Sequence, residues 1–184
     1  MDIYDNNINV LTSYIADGSK GCNSNAVGVE LEHFVIDKNG DCVPYINGVE
    51  NIIEQLAQNF SKHVYSEGFL IGLSCDKYNI TLEPGAQIEI SIKPTENICE
   101  IENIYGEFLS VINPILDKYS YRLTTLGYMP KNKAKDISLI PKKRYEYMNK
   151  YFKSVGTRGI NMMRGTASAQ VSIDFADEKD CVQK

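Results

Sequence analysis

Glu30 and Glu32, in the run Gly28-Val29-Glu30-Leu31-Glu32-His33-Phe34, stand two residues apart. In an extended strand that spacing turns both carboxylates to one face, with Val29, Leu31 and His33 on the other. The run Thr81-Leu82-Glu83-Pro84-Gly85-Ala86-Gln87-Ile88-Glu89-Ile90-Ser91 repeats the device. Gln87, Glu89 and Ser91 share one face, and Ile88, Ile90 and Ile92 the other. In Gln170-Val171-Ser172-Ile173-Asp174-Phe175, the side chains of Gln170, Ser172 and Asp174 lie opposite Val171, Ile173 and Phe175. A sheet with one wet face has the same alternation, but wet strands favour Thr, Lys and Arg, and acids are depleted in strands. These three polar faces carry no basic residue. Like charges on neighbouring strands repel, and a divalent cation removes the repulsion. Carboxylate and amide oxygens are the donors that magnesium prefers, commonly between protein acids and substrate phosphates. The pattern therefore predicts a magnesium- and phosphate-binding face.

The elements that must position these residues are legible as an α+β arrangement. It is a mainly antiparallel twisted sheet with helices packed on one side. Apolar spacing predicts a helix over residues 2–16, ended by Gly18 and Gly21, and a strand from Val27 to Ile36. Asp37-Lys38-Asn39-Gly40 is a hairpin turn with a return strand from Asp41 to Tyr45. Val49, Ile52, Ile53, Leu56 and Phe60 share a helical face within Gly48–Phe60. Strands follow at Phe69–Cys75, Ile80–Glu83 and Gln87–Ile92. A long amphipathic helix carries Ile98, Ile101, Ile104, Phe108, Val111, Ile115 and Leu116, with a kink or break expected at Pro114. Tyr121–Tyr128 is a strand, residues 130–140 a polar loop, and Pro141 opens a helix running through Phe152. Gly156 and Gly159 flank a turn, and Ala167–Phe175 is the last strand.

Composition excludes some classes. The chain has 184 residues, enough for one domain, with 43% apolar and 23% charged residues and a net charge of −5. That balance argues against disorder and against a nucleic-acid binder. The basic residues are scattered except for Lys131, Lys133, Lys135, Lys142, Lys143 and Arg144, a segment suited to an anion. No apolar run approaches a membrane span, and Met1-Asp2-Ile3-Tyr4-Asp5 lacks the features of a signal peptide. The cytoplasm is the expected location. The five cysteines, Cys22, Cys42, Cys75, Cys99 and Cys181, form no Cys-x-x-Cys and read as reduced structural thiols. Of the two histidines, His33 reads as a packed neutral ring, and His63 follows a helix whose C-terminal end favours its charge. Met162-Met163 reads as core.

Taken in order, the two Glu-rich runs, Pro141-Lys142-x-Arg144-Tyr145-x-x-Met148, Gly156-Thr157-x-Gly159-x-x-Met162-Met163 and Thr166-x-x-x-Gln170-Val171 resemble a known family. They resemble the glutamate–cysteine ligases of the plant and proteobacterial type, which are carboxylate–amine ligases of glutamine-synthetase-like fold. The resemblance runs over roughly residues 25–177. Glu-Pro-Gly-x-Gln-x-Glu-x-Ser is its most specific piece. It implies that ATP phosphorylates the γ-carboxylate of L-glutamate and that the amine of L-cysteine attacks the acyl phosphate. By the same resemblance, Glu30, Glu32, Glu83 and Glu89 match magnesium ligands, with Glu30, Glu89 and Arg144 carrying the chemistry. Arg144 matches an arginine that holds the substrate carboxylate, a task suited to a planar, bidentate guanidinium.

Gln170 and Ser172 match nucleotide- or cofactor-contacting positions, although the family often has Asn where this chain has Ser172. Gly165 stands where the family often has an arginine, so Arg164 is not assigned that role. Ligases of this type are considerably longer than this chain. Residues 1–184 therefore read as a single domain, the N-terminal part of a longer catalytic domain. Two other readings stand beside this one. The chain could be a non-catalytic metal- or nucleotide-binding module, or a homodimer joined through an open sheet edge. The acceptor amine stays open.

Overall fold

The computed structural model describes residues 3–21 and 25–184. Among these, seven strands form one antiparallel sheet: β1 (Val27–Ile36), β2 (Lys62–Ser66), β3 (Phe69–Ser74), β4 (Tyr78–Leu82), β5 (Ile88–Thr95), β6 (Arg122–Thr124) and β7 (Ala169–Ile173). Their order is β2-β3-β4-β5-β1-β6, and β7 pairs with β1 beside β6. The N-terminal half of β1 pairs with β7 and its C-terminal end with β6. Six helices accompany the sheet: α1 (Ile3–Asp17), α2 (Glu50–Leu56), α3 (Ile98–Lys118), α4 (Lys143–Ser154), α5 (Gly159–Gly165) and α6 (Glu178–Gln183). The α+β expectation holds.

The period-2 alternation divides the sheet into two environments. Ile80, Leu82, Ile88 and Ile90 are completely buried against Ile52, Ile53 and Leu56 of α2 and Phe108 and Ile112 of α3. Each such side chain contributes about 1.5–3 kcal/mol relative to exposure. The α3 stripe forms because Ile104, Phe108, Ile112, Ile115 and Leu116 return to one side of a 3.6-residue helix. Asn97 caps it, its side chain accepting from the Cys99 N–H at 3.0 Å. Helix α3 runs through Pro114, so of the kink or break expected there the break does not occur. Pro114 lies on the solvent side, and so does Ser110, whose carbonyl loses its helical donor.

His33, on the core side of β1, is buried. Its Nε2 lies 2.8 Å from the Tyr105 hydroxyl and its ring stacks on Tyr105. Burial lowers its proton affinity below the ordinary value of 6.5. His63 Nε2 meets the Ala57 and Phe60 carbonyls at 3.1 and 3.0 Å, at the end of the α2 region as expected.

Other boundaries differ from expectation. The return strand after Gly40 shrinks to a single bridge, Ile36 with Cys42, before an irregular turn over Tyr45–Val49. The Tyr121–Tyr128 strand is confined to Arg122–Thr124, with one further bridge from Tyr128 to Thr166. Strand β2 and helices α5 and α6 have no counterpart in the sequence reading. Cys42, Cys75, Cys99 and Cys181 are free thiols, and Cys22 lies outside the described residues. Among the described residues no helix is long and apolar enough to cross a membrane.

Candidate functional site

The second face of the central strands collects the predicted acids. In the β1–β5 ladder Glu32 stands opposite Glu89 and Glu30 opposite Ser91. In the β1–β7 ladder Glu30 stands opposite Gln170 and Gly28 opposite Ser172. On the other side of β5, Thr81 faces Glu89. Glu83 follows β4 at the mouth of the β4–β5 connection, where its N–H donates to the Gln87 carbonyl. Register therefore brings Glu30, Glu32, Glu83, Glu89, Gln170 and Ser172 to one face of adjacent strands. The apolar cluster of Phe34, Met129, Ile137 and Ala167 closes one end of that face, since Phe34 continues the even-numbered alternation of Glu30 and Glu32.

Hydrogen bonds fix the acids individually. Glu32 accepts from the Ser168 N–H and hydroxyl, both at 2.9 Å, and from Gln170 Nε2 at 3.1 Å. Glu89, only 8% exposed, accepts through Oε1 from the Thr81 and Ser91 hydroxyls at 2.9 and 2.7 Å. The turn Glu83-Pro84-Gly85-Ala86 is closed by the Ala86 N–H donating to the Glu83 carbonyl. Ala86 sits in the left-handed region at φ 66°, a strained conformation for a residue with a Cβ. Gly85 is required by close approach, because a Cβ there would lie 2.9 Å from the Arg164 carbonyl oxygen. Gln87 belongs to the scaffold: it accepts from the Gly85 N–H and donates to the Thr166 carbonyl, both at 2.7 Å.

The electrostatics follow from crowding. Partial burial, then the charges of Glu89 and Glu32, push the Glu83 carboxyl up to about 7. Lys142 and Arg144 oppose that rise. Glu30 is raised for the same reasons, burial first and then Glu89 and Glu32. Among the described residues no three of these side chains converge into a ready-made metal cage. Magnesium keeps several waters and completes its octahedron with substrate phosphates. Glu30, Glu32, Glu83 and Glu89 are the carboxylates that could meet such an ion from one side of the sheet.

Arg144 lies in the first turn of α4, where its Nη2 donates to the Tyr145 hydroxyl at 3.3 Å and its guanidinium stacks over the Tyr145 ring. Tyr145 is buried. Its hydroxyl lies 3.3 Å from the Leu82 carbonyl and 3.5 Å from Glu83 Oε1. It joins α4 to the end of β4, setting Arg144 and Lys142 beside the acids. Sequence reasoning missed Tyr145 and Ser168. Alternation marks Ser168 as a partner of Gln170, but the contact to Glu32 depends on register. The face opens into a cavity of about 330 Å³ bounded by Glu32, Glu83, Gln170, Met148, Met162 and Met163. Met163 is core as expected, whereas Met162 is half exposed and lines this cavity.

These features coincide with a family. Residues 26–184 match the model of "Glutamate-cysteine ligase family 2(GCS2)". The chain is 31% identical to the chloroplastic glutamate–cysteine ligases of Arabidopsis thaliana and Medicago truncatula over 175 residues. It is 30% identical to the chloroplastic glutamate–cysteine ligase A of Oryza sativa subsp. japonica. In each case 95% of this chain is covered, but only 34–36% of the relative, so the chain spans about a third of their length. With a match that takes in both Glu-rich strands, the Arg144 helix and β7, the chain belongs to glutamate-cysteine ligase family 2.

Proposed function

We propose that the protein serves an ATP-dependent ligation of the γ-carboxylate of L-glutamate to the amine of L-cysteine, the first step of glutathione biosynthesis. The observation that carries this is the ladder of Glu30, Glu32 and Glu89 with Glu83 at its end and Arg144 beside it. In the first half-reaction an oxygen of the γ-carboxylate attacks the γ-phosphorus of ATP and ADP leaves. In the second, the amine attacks the acyl carbon, inorganic phosphate leaves, and the nitrogen gives up a proton. Magnesium, when bound, supplies charge neutralisation to the phosphates. The chain's own residues do the positioning. Arg144 offers a forked donor to the substrate carboxylate, Glu32 and Glu89 are held rigid by their hydroxyl and amide donors, and Gln170 and Ser172 extend the polar face toward the nucleotide. Burial and the neighbouring charges of Glu89 and Glu32 push Glu83 up to about 7, so this carboxyl is the one of the four most able to carry a proton near neutral pH. No side-chain nucleophile is required.

The test is ADP release in the presence of glutamate, with and without cysteine or another amine. The reading predicts amine-stimulated release that Arg144→Lys reduces by raising the KM for glutamate. Absence of amine stimulation contradicts it. The cytoplasmic location remains part of the proposal; the relatives named above are chloroplastic.

A second reading is favoured by β7, whose Val171 and Ile173 are 65% and 53% exposed although they point to the core side of the sheet. An uncovered edge of this kind suits a second copy of the chain or a binding module without turnover. Tight Mg-ATP binding without ADP release would support the module, and a dimeric solution mass the paired edge.

A further inference from the structure

A further cavity outlined by the described residues lies away from the acid face. It measures about 680 Å³ and is walled by Lys131, Lys133, Lys135, Lys153 and Arg164, with Asn161. Helix α5 separates the two cavities: Ile160, Asn161 and Arg164 face this one, and Met162 and Met163 the acid-face one. No carboxylate lines it, in a chain whose net charge is −5. Lys131 is already engaged, donating to Asp41 at 2.7 Å and to the Asn39 carbonyl at 3.0 Å. Arg164 is fixed at the back: Nη1 donates to the Ile137 carbonyl at 2.8 Å and Nη2 to Asn149 Oδ1 at 2.6 Å. Its Nε–H is buried with no hydrogen-bond partner among the described residues. Lys133, Lys135 and Lys153 contribute three further ammonium groups around the same space and form no ion pair among the described residues. Lys133, Lys135 and Lys153, gathered without a counter-charge of their own, repel one another, and an anion would relieve them.

The geometry points to this cavity as a second binding site, for a small molecule bearing a polyphosphate or comparably dense anionic group. Its volume suits a ligand of nucleotide size. Guanidinium and ammonium donors around one cavity match phosphate oxygens. The site is independent of the acid face and of the ligase reading, because it requires no metal.

The test is calorimetry of the full chain with inorganic tripolyphosphate, without divalent cation. Wild-type protein should bind, more weakly as ionic strength rises. The Lys133→Glu/Lys135→Glu double variant should bind at least about tenfold more weakly. Both lysines are exposed, so the variant should unfold at the wild-type temperature, which a melting curve checks. Glu89→Gln, on the acid face, should leave tripolyphosphate binding unchanged. Metal-free ATP should bind comparably to tripolyphosphate, and AMP distinctly more weakly. The proposal is overturned by no binding at millimolar tripolyphosphate, by wild-type affinity in the double variant, or by AMP binding as tightly as ATP. Tighter binding in Glu89→Gln would place the anion on the acid face and overturn it equally. Failure of the ligase reading leaves each of these outcomes unaffected.

Discussion

The two faces of β1 and β5 are built from the same backbone and differ only in which alternate residue each presents. On one, Ile88, Ile90 and Ile92 meet α2 and α3 and exclude water; on the other, Glu89 and Ser91 meet Glu32, Glu30 and Thr81. The apolar face stabilises by burial. The polar face works against stability, since it crowds carboxylates that repel until something neutralises them. The sheet is held by one side, and that burial lets the other keep a crowd of carboxylates.

The division predicts a hierarchy of effects. Deleting the ring at the centre of the apolar face, Phe108→Ala, should cost about 4 kcal/mol, read from the midpoint of denaturant unfolding, because Phe108 is completely buried beneath the sheet. A loss below about 1 kcal/mol would mean that the helical layer is not what holds the sheet.

The faces should also respond to pH with opposite signs. Glu83 binds its proton more tightly when folded. Its contribution to stability is full below about pH 4.5 and is lost as pH rises through about 7, a change on the order of 2 kcal/mol after allowance for solvent screening. Glu83→Gln should flatten that slope, and magnesium should offset it mainly at the alkaline end. His33 binds its proton less tightly when folded, so its contribution is full above about pH 6.5 and is lost as pH falls below that value. His33→Phe should remove this acid-side loss and leave the alkaline slope intact. Stability curves of the two variants that coincide would break the comparison.

The smallest effect belongs to the sheet's uncovered edge. Val171→Lys on β7 should change monomer stability by less than about 0.5 kcal/mol, because the side chain is mostly exposed. A large loss, or a fall in solution mass, would show that the edge is covered by a second copy.

Much of this arrangement was legible in residue order. Strand β1 lies where alternation puts it, Val27 to Ile36, and the sidedness of Glu30, Glu32, Glu89 and Gln170 follows from a period of two. Contacts that depend on register were not legible. Tyr145 beneath Arg144 and Ser168 on Glu32 are set by how α4 and β7 dock, and spacing does not encode docking. Strand β2 was missed because Lys62–Ser66 is a short exposed edge whose burial does not alternate. Helix α5 was missed because glycines begin and end it, and its first residue, Gly159, reads with Gly156 as a turn. Gly159 sits so close to Phe152 that a Cβ would lie 2.8 Å from the Phe152 Cβ and 3.0 Å from its ring, a packing reason invisible in the sequence.

The central claim is that the acid face exists to hold a cation against phosphate, and calorimetry of Mg-ATP binding to wild-type protein and Glu89→Gln at neutral pH tests it most directly. Wild-type protein should bind with proton release, and the variant should bind on the order of 100-fold more weakly while unfolding at nearly the same temperature. Equal magnesium-dependent affinity in the two proteins would contradict the account.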